Sequence, residues 1–148
     1  MTAYMLDAMV FDRLADGGVS FDAFRGLRLL ATHVQWDELN AAKEKYPVRA
    51  AKLLAAFEKI DPSIDPTASA FFDVSKWGQS SWSAEDGVEQ QMLQRLTQID
   101  AEEGKKHRPK NQRGDILIGH TAIKNNATLI SDDDGLRRLV SEFGGRAI

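Results

Sequence analysis

The sequence predicts an α/β fold, a three-layer α/β/α sandwich around a mostly parallel central sheet, built as a single domain over residues 1–148. Two observations carry that prediction. Short apolar runs at Tyr4-Met5-Leu6, Leu29 to Val34 and Ala127 to Ser131 alternate with stretches of helical period, the pattern of strand–helix–strand units. Acidic residues stand where these runs hand over to helices, or in the helices that follow, as expected for a sheet whose strand ends share one crevice. A length of 148 residues suits one core, and 43% hydrophobic with 28% charged residues is ordinary for a globular chain.

The elements follow in order. Tyr4 to Phe11 reads as a buried strand running into a helical turn, broken at Asp16-Gly17-Gly18. Phe21, Phe24, Leu27 and Leu30 mark a helical or mixed connection to the second strand. Asp37 is placed to cap a helix from Glu38 to Tyr46, and Pro47 suits the first position of the next. Ala50, Leu53, Leu54 and Phe57 then fall at i, i+3, i+4 and i+7, the stripe of an amphipathic helix that Asp61-Pro62 and Asp65-Pro66 end. Phe71-Phe72-Asp73-Val74 reads as a strand before a polar loop holding Trp77 and Trp82. A helix start at Ser83-Ala84-Glu85-Asp86 leads to a second stripe of Val88, Met92, Leu96 and Ile99. A basic loop precedes a helix from Asp115 to about Lys124, a strand over Ala127 to Ser131, and a helix with Leu136, Leu139, Val140 and Phe143 inward. Gly144-Gly145 ends that helix, and Arg146-Ala147-Ile148 forms a closing edge strand.

Composition excludes several classes of function. The absence of cysteine removes disulfides, thiolate zinc sites and thiol nucleophiles, and fits a cytoplasmic protein. Asp7, Asp12, Arg13 and Asp16 interrupt the first twenty residues, which therefore hold no signal-peptide core, and no run reaches the length of a membrane span. The net charge of −3 argues against binding nucleic acid over the whole surface. Lys105 to Arg113, however, holds five Lys/Arg and no acid; removing those five from −3 leaves −8 for the rest of the chain. Such a segment beside an acidic centre is placed to hold a polyanion there.

Asp7, Glu38, Asp115 and Asp133 are the residues around which chemistry is expected. Each has an ordinary reading alone: Asp115 and Asp133 as helix caps, Glu38 as a first-turn acid. Ser131 with Asp134 three residues on also reads as a capping box. Asp7 resists that reading, because a carboxylate ending a central apolar strand is costly to bury without a partner. Together in one crevice the four repel one another unless a divalent cation neutralises them, which points to Mg²⁺ or Mn²⁺ and phosphate chemistry. On a helix, Gly119 lies one turn from Asp115 and leaves space on its face. His33, in a presumed strand, His107 and His120 form no metal-binding spacing.

Four segments in order resemble the PIN-domain ribonucleases, of the VapC-like toxin kind: Tyr4 to Asp12, Trp36-Asp37-Glu38-Leu39, Gly114 to Ile123, and Thr128 to Leu136. The resemblance spans essentially the whole chain. It implies that Asp7, Glu38, Asp115 and Asp133 are the acidic residues of a Mg²⁺ or Mn²⁺ site and Ser131 its hydroxyl residue. The chain departs from the family at Ala8, where Thr or Ser is usual, and Met9, where a polar residue is usual; both remove hydrogen bonds that orient the first acid or a metal-bound water. Asp132 is an extra acid able to stand in for Asp133.

The resemblance further implies hydrolysis of RNA phosphodiesters to 5′-phosphate and 3′-hydroxyl ends, a small antitoxin partner and a homodimer. In that reading Asp7, Asp115 and Asp133 hold the metal, and Glu38 is either a ligand or the holder of a metal-bound water. Lys105, Lys106, Arg108, Lys110 and Arg113 track the RNA backbone. Two rivals stand beside it. A phosphatase with Asp7 as nucleophile wants an acid where Met9 stands; a catalytically impaired module that binds RNA or a protein draws its support from Ala8 and Met9.

Overall fold

The computed structural model describes residues 2–64, 88–105 and 109–148, with the backbone alone for 109–111. Five strands, β1 (Ala3–Leu6), β2 (Arg28–Ala31), β3 (Ser63–Ile64), β4 (Thr128–Ile130) and β5 (Arg146–Ala147), form one sheet in the order β3-β2-β1-β4-β5. Every neighbouring pair of these described strands is parallel, in line with the expected mostly parallel sheet. The first strand in sequence is thus the middle strand in space. The chain lays β2 and β3 to one side of it and then crosses to lay β4 and β5 on the other.

Among the described residues six α-helices connect the strands: α1 (Ala8–Asp16), α2 (His33–Ala41), α3 (Pro47–Ile60), α4 (Val88–Glu102), α5 (Pro109–Lys124) and α6 (Asp134–Glu142), with a 3₁₀ turn at Phe21–Phe24. Gly17 ends α1 with a left-handed φ of 78°, donating its N–H to the Arg13 and Leu14 carbonyls. Pro47 starts α3 as expected.

Two helix starts differ from the sequence reading. Helix α2 begins at His33, not Glu38, because Thr32 and Gln35 form a reciprocal capping box that stops β2 at Ala31. Its pattern, Thr32-His33-Val34-Gln35, was legible as such a box; the apolar neighbours favoured a longer strand. His33 is therefore helical, and Glu38 stands in the second turn. Helix α5 begins at Pro109 rather than Asp115, with proline again suiting a helix start. Most of the presumed basic loop is thus the first turns of a helix. The expected strand at Phe71–Val74, both tryptophans of the polar loop and the helix start at 83–86 lie outside the described residues.

Alternation along the strands separates two cores. Ala3 and Met5 of β1, Leu30 of β2 and Leu129 of β4 pack with Met92, Leu96 and Ile99 of α4, Ile116 to Ile118 of α5 and Leu136, Leu139 and Val140 of α6. Leu6, Leu29 and Ala31 face the other way, into Val10, Phe11 and Leu14 of α1, Leu39 of α2 and Leu53 and Phe57 of α3. Helices on both faces of a parallel sheet make the three layers. No helix among the described residues is long and apolar enough to cross a membrane.

A carboxylate cleft at the switch point of the sheet

The reversal of strand order falls between β1 and β4. Their carboxyl ends diverge into helices on opposite faces, leaving a crevice there. Asp7 and Ser131 are the residues that leave those two strands. The Asp7 N–H continues the ladder to the Ile130 carbonyl at 3.0 Å. The Asp7 side chain is buried, with 5% of the residue exposed. Its Oδ1 accepts from the Ala8 N–H at 2.8 Å and its Oδ2 from the Ser131 hydroxyl at 2.6 Å. Burial pushes this carboxyl up, the hydrogen bonds from Ser131 and Ala8 draw it back, and the charges of Asp133 and Asp132 push it up again.

Asp133 caps α6, as its bland reading holds, and it also belongs to the cleft. Its Oδ1 accepts from the N–H groups of Gly135 and Leu136, at 2.9 and 3.2 Å, while its own N–H donates to Ser131 Oγ at 3.0 Å. Ser131 therefore relays between Asp133 and Asp7, and the capping box expected from Ser131 and Asp134 is replaced by the Asp133 cap. Asp132 turns outward into an ion pair with Arg13.

Glu38 and Asp115 come from mid-helix positions. Gly114 explains how their helices approach: a Cβ there would lie 3.2 Å from Val34 Cγ1 and 3.4 Å from Glu38 Oε1. Glu38 stands at the open rim, with protein packed about its carboxyl; that crowding, then the charge of Asp7, raises it to about 7. Asp115 is partly buried and held well above the usual carboxylate range by burial, then by the charges of Asp7, Glu38, Asp133 and Asp100. Asp115 thus feels the charge of each of the other three acids across one cleft. Gly119 does not open space beside Asp115. A Cβ there would meet Val140 Cγ2 at 3.1 Å and Leu136 Cδ1 at 3.4 Å, so its missing side chain lets α6 pack. His120 is buried.

Sequence reasoning missed Asp100. It flanks the buried Met92-Leu96-Ile99 stripe on α4, and its Oδ2 accepts from Gln112 Nε2 at 2.9 Å. An acid adjoining an apolar stripe was the available signal. The second missed residue is Gln35, fully buried, whose Nε2 donates to the Leu6 carbonyl at 2.9 Å while its Oε1 takes the Thr32 N–H at 2.8 Å. It ties the start of α2, and hence Glu38, to the strand end that carries Asp7.

The basic segment divides. Lys105 is exposed, with its Nζ 3.0 Å from Asp133 Oδ1 and 3.1 Å from Glu103 Oε2. Arg113 is partly buried on α5. Lys106 and Arg108 lie outside the described residues, as does the side chain of Lys110.

Among the described residues no three acidic or imidazole side chains form a ready-made metal cage. The donor set still fits a hard divalent cation: it is all oxygen, its members repel one another, and Mg²⁺ keeps several waters and asks for few carboxylates.

No protein-family model matches the chain, and no curated protein matches it. Solved structures do. VapBC2 from Rickettsia felis, bound to a DNA fragment from its promoter, superposes with a TM-score of 0.56 at 13% identity, covering 99% of this chain and 98% of that one. PAE2754 from Pyrobaculum aerophilum gives 0.53 at 15% identity over 99% and 89%. VapBC-5 from Mycobacterium tuberculosis, a member of the VapBC toxin–antitoxin family, gives 0.50 at 20% over 100% and 97%. The fold is that of the VapC-like PIN domains.

Proposed function

We propose that the protein is a Mg²⁺- or Mn²⁺-dependent endoribonuclease, the toxin of a toxin–antitoxin pair. The observation that carries this reading is the meeting of Asp7, Glu38, Asp115 and Asp133 at the switch point of the sheet, where their charges act on one another. Asp7, Asp115 and Asp133 would hold the cation, which, when bound, supplies a more acidic water and a counter-charge for the leaving oxygen. Ser131 fixes Asp7 through Oδ2, and the Ala8 N–H fixes it through Oδ1. Orientation of the first acid thus does not depend on side chains at positions 8 and 9, which weakens the impaired-module reading. Glu38, raised to about 7, is matched to accept a proton from the attacking water near neutral pH. Water attacks phosphorus, the bond to the 3′ oxygen breaks, and the products are a 5′-phosphate and a 3′-hydroxyl.

The partner is a small antitoxin that closes the cleft with a basic side chain, and the toxin works as a cytoplasmic homodimer. Of the two helical stripes, Met92, Leu96 and Ile99 are fully buried and unavailable for such a contact. The start of α3 is available: Val48 is 74% exposed and Tyr46, just before the helix, 56%. Cleavage of defined RNAs, with and without EDTA, tests the activity. Metal-dependent products with 5′-phosphate ends are expected from the native chain and not from Asp7→Asn; cleavage that survives EDTA would overturn the reading.

A further inference from the structure

Lys105, the first residue of the basic segment, brings its ammonium against the acids of the cleft. It leaves the end of α4, held by its own N–H to the Asp100 carbonyl at 2.8 Å, and its Nζ donates to Asp133 Oδ1 at 3.0 Å. Glu103 Oε2 lies 3.1 Å from the same ammonium, and Asp100 Oδ1 lies 4.0 Å away. Three carboxylates therefore surround one cation, and two of them, Asp100 and Asp133, also act on Asp115. Partial burial draws the ammonium down, but the hydrogen bonds it donates to Asp133 and Glu103 outweigh it and hold the charge. Asp133 Oδ1 already takes two backbone N–H groups of α6, so Lys105 completes its shell with a third donor.

We infer that Lys105 is a tethered internal counter-ion of the acidic cleft, which competes with the divalent cation for Asp133 and sets how tightly the free protein holds metal. The inference rests on the metal reading proposed above. The physical reason is charge balance: a fixed ammonium lowers the repulsion among the acids before any metal arrives, and so lowers the gain from binding one. The lysine is 42% exposed in its side chain and can swing out on its four-carbon stem once displaced.

Isothermal titration of Mn²⁺ into the full-length protein tests this without any cleavage assay. Lys105→Met and Lys105→Gln, which lose the charge, are expected to bind Mn²⁺ roughly two- to five-fold tighter than the native chain, the scale of a part-exposed ion pair. Lys105→Arg, which keeps the charge, is expected to stay nearer the native affinity. Arg138→Gln removes one positive charge from the outer face of α6, where its partners are Glu102 and Glu142, and is expected to leave the affinity unchanged. Equal or weaker binding in both neutral variants overturns the counter-ion role while leaving the metal site standing. Equal tightening in Arg138→Gln does the same, since the effect would then be one of net charge. Absence of Mn²⁺ binding in the native chain and every variant overturns the metal site and the inference together.

Discussion

Two pairs of acids meet in one cleft, and they are held in opposite ways. Asp7 and Asp133 stand where chain leaves strand, and their oxygens collect N–H and O–H donors: Ala8 and Ser131 on one, Gly135 and Leu136 on the other. Glu38 and Asp115 project from the bodies of helices, and the largest effects on them are burial and the charges of the other acids. The first pair is part of the scaffold; the second pair is charge set against it. Capping a helix and serving a site are therefore compatible roles, as Asp133 shows. Burial raises the carboxyls of Asp7, Glu38 and Asp115 alike, but hydrogen bonds draw only Asp7 back; the mid-helix pair is opposed without that relief, and strain of that sort is what a functional requirement leaves behind.

That contrast can be broken by substitution. The largest expected effect is at Asp115. Asp115→Asn is expected to lower single-turnover RNA cleavage on the order of 10²–10⁴-fold, the scale of a lost charge-stabilising or acid–base group. It is also expected to raise the melting temperature of the metal-free protein, at roughly 3 °C per kcal/mol of repulsion relieved. A lower melting temperature with native cleavage would place Asp115 in the scaffold with Asp7 and Asp133.

A smaller effect separates the two roles of Asp133. Asp133→Ala removes the cap of α6 and is expected to cost about 1 kcal/mol in denaturant unfolding, whereas Asp133→Asn keeps a capping oxygen and most of that stability. Both are expected to lose cleavage. Equal stability loss in the two variants would mean that charge, not capping, fixes the start of α6.

The last effect is in pH dependence. The Glu38 carboxyl titrates at about 7 in the folded chain, against an ordinary 4.5. Between those values the unfolded chain has released a proton that the folded chain retains, so the metal-free protein loses stability as pH rises from about 4.5 to about 7. Above and below that window Glu38 contributes no slope. Glu38→Gln is expected to flatten this portion of the stability–pH curve, measured by chemical denaturation in EDTA. An unaltered slope would assign it to Asp7 and Asp115, whose carboxyls are also raised.

The parallel sheet, the order of the described helices and the two apolar faces were legible because alternation and helical period follow from burial. Boundaries were less so. His33 and Val34 read as the end of a strand because they continue its apolar run, and the capping box at Thr32 outweighed that run. The basic run before Asp115 read as a loop because charge marks solvent exposure, not backbone conformation, and Pro109 began a helix instead. Asp7 and Asp133 stood out by their position at the ends of elements; Glu38 and Asp115 stood out because helices were read as starting at them, although both lie within helices. Their supports did not: Gln35, Asp100 and the ion pair of Lys105 depend on contacts between elements distant in sequence, such as the 28 residues that separate Lys105 from Asp133.

The central place of β1 has a consequence for the order in which the molecule is made. Strand β1 is made before the other strands of its sheet and acquires its second neighbour only when β4 arrives, and the bond from Ser131 to Asp7 closes a separation of 124 residues. A growing chain can lay down β2 and β3 beside β1, yet one edge of β1 stays open and Asp7 lacks its hydroxyl partner. Long-range parallel pairing of this kind is also slow. The cleft is thus among the last features to form, and a chain interrupted before Ser131 carries Asp7, Glu38 and Asp115 without the hydroxyl that orients the first or the Asp133 that completes the set.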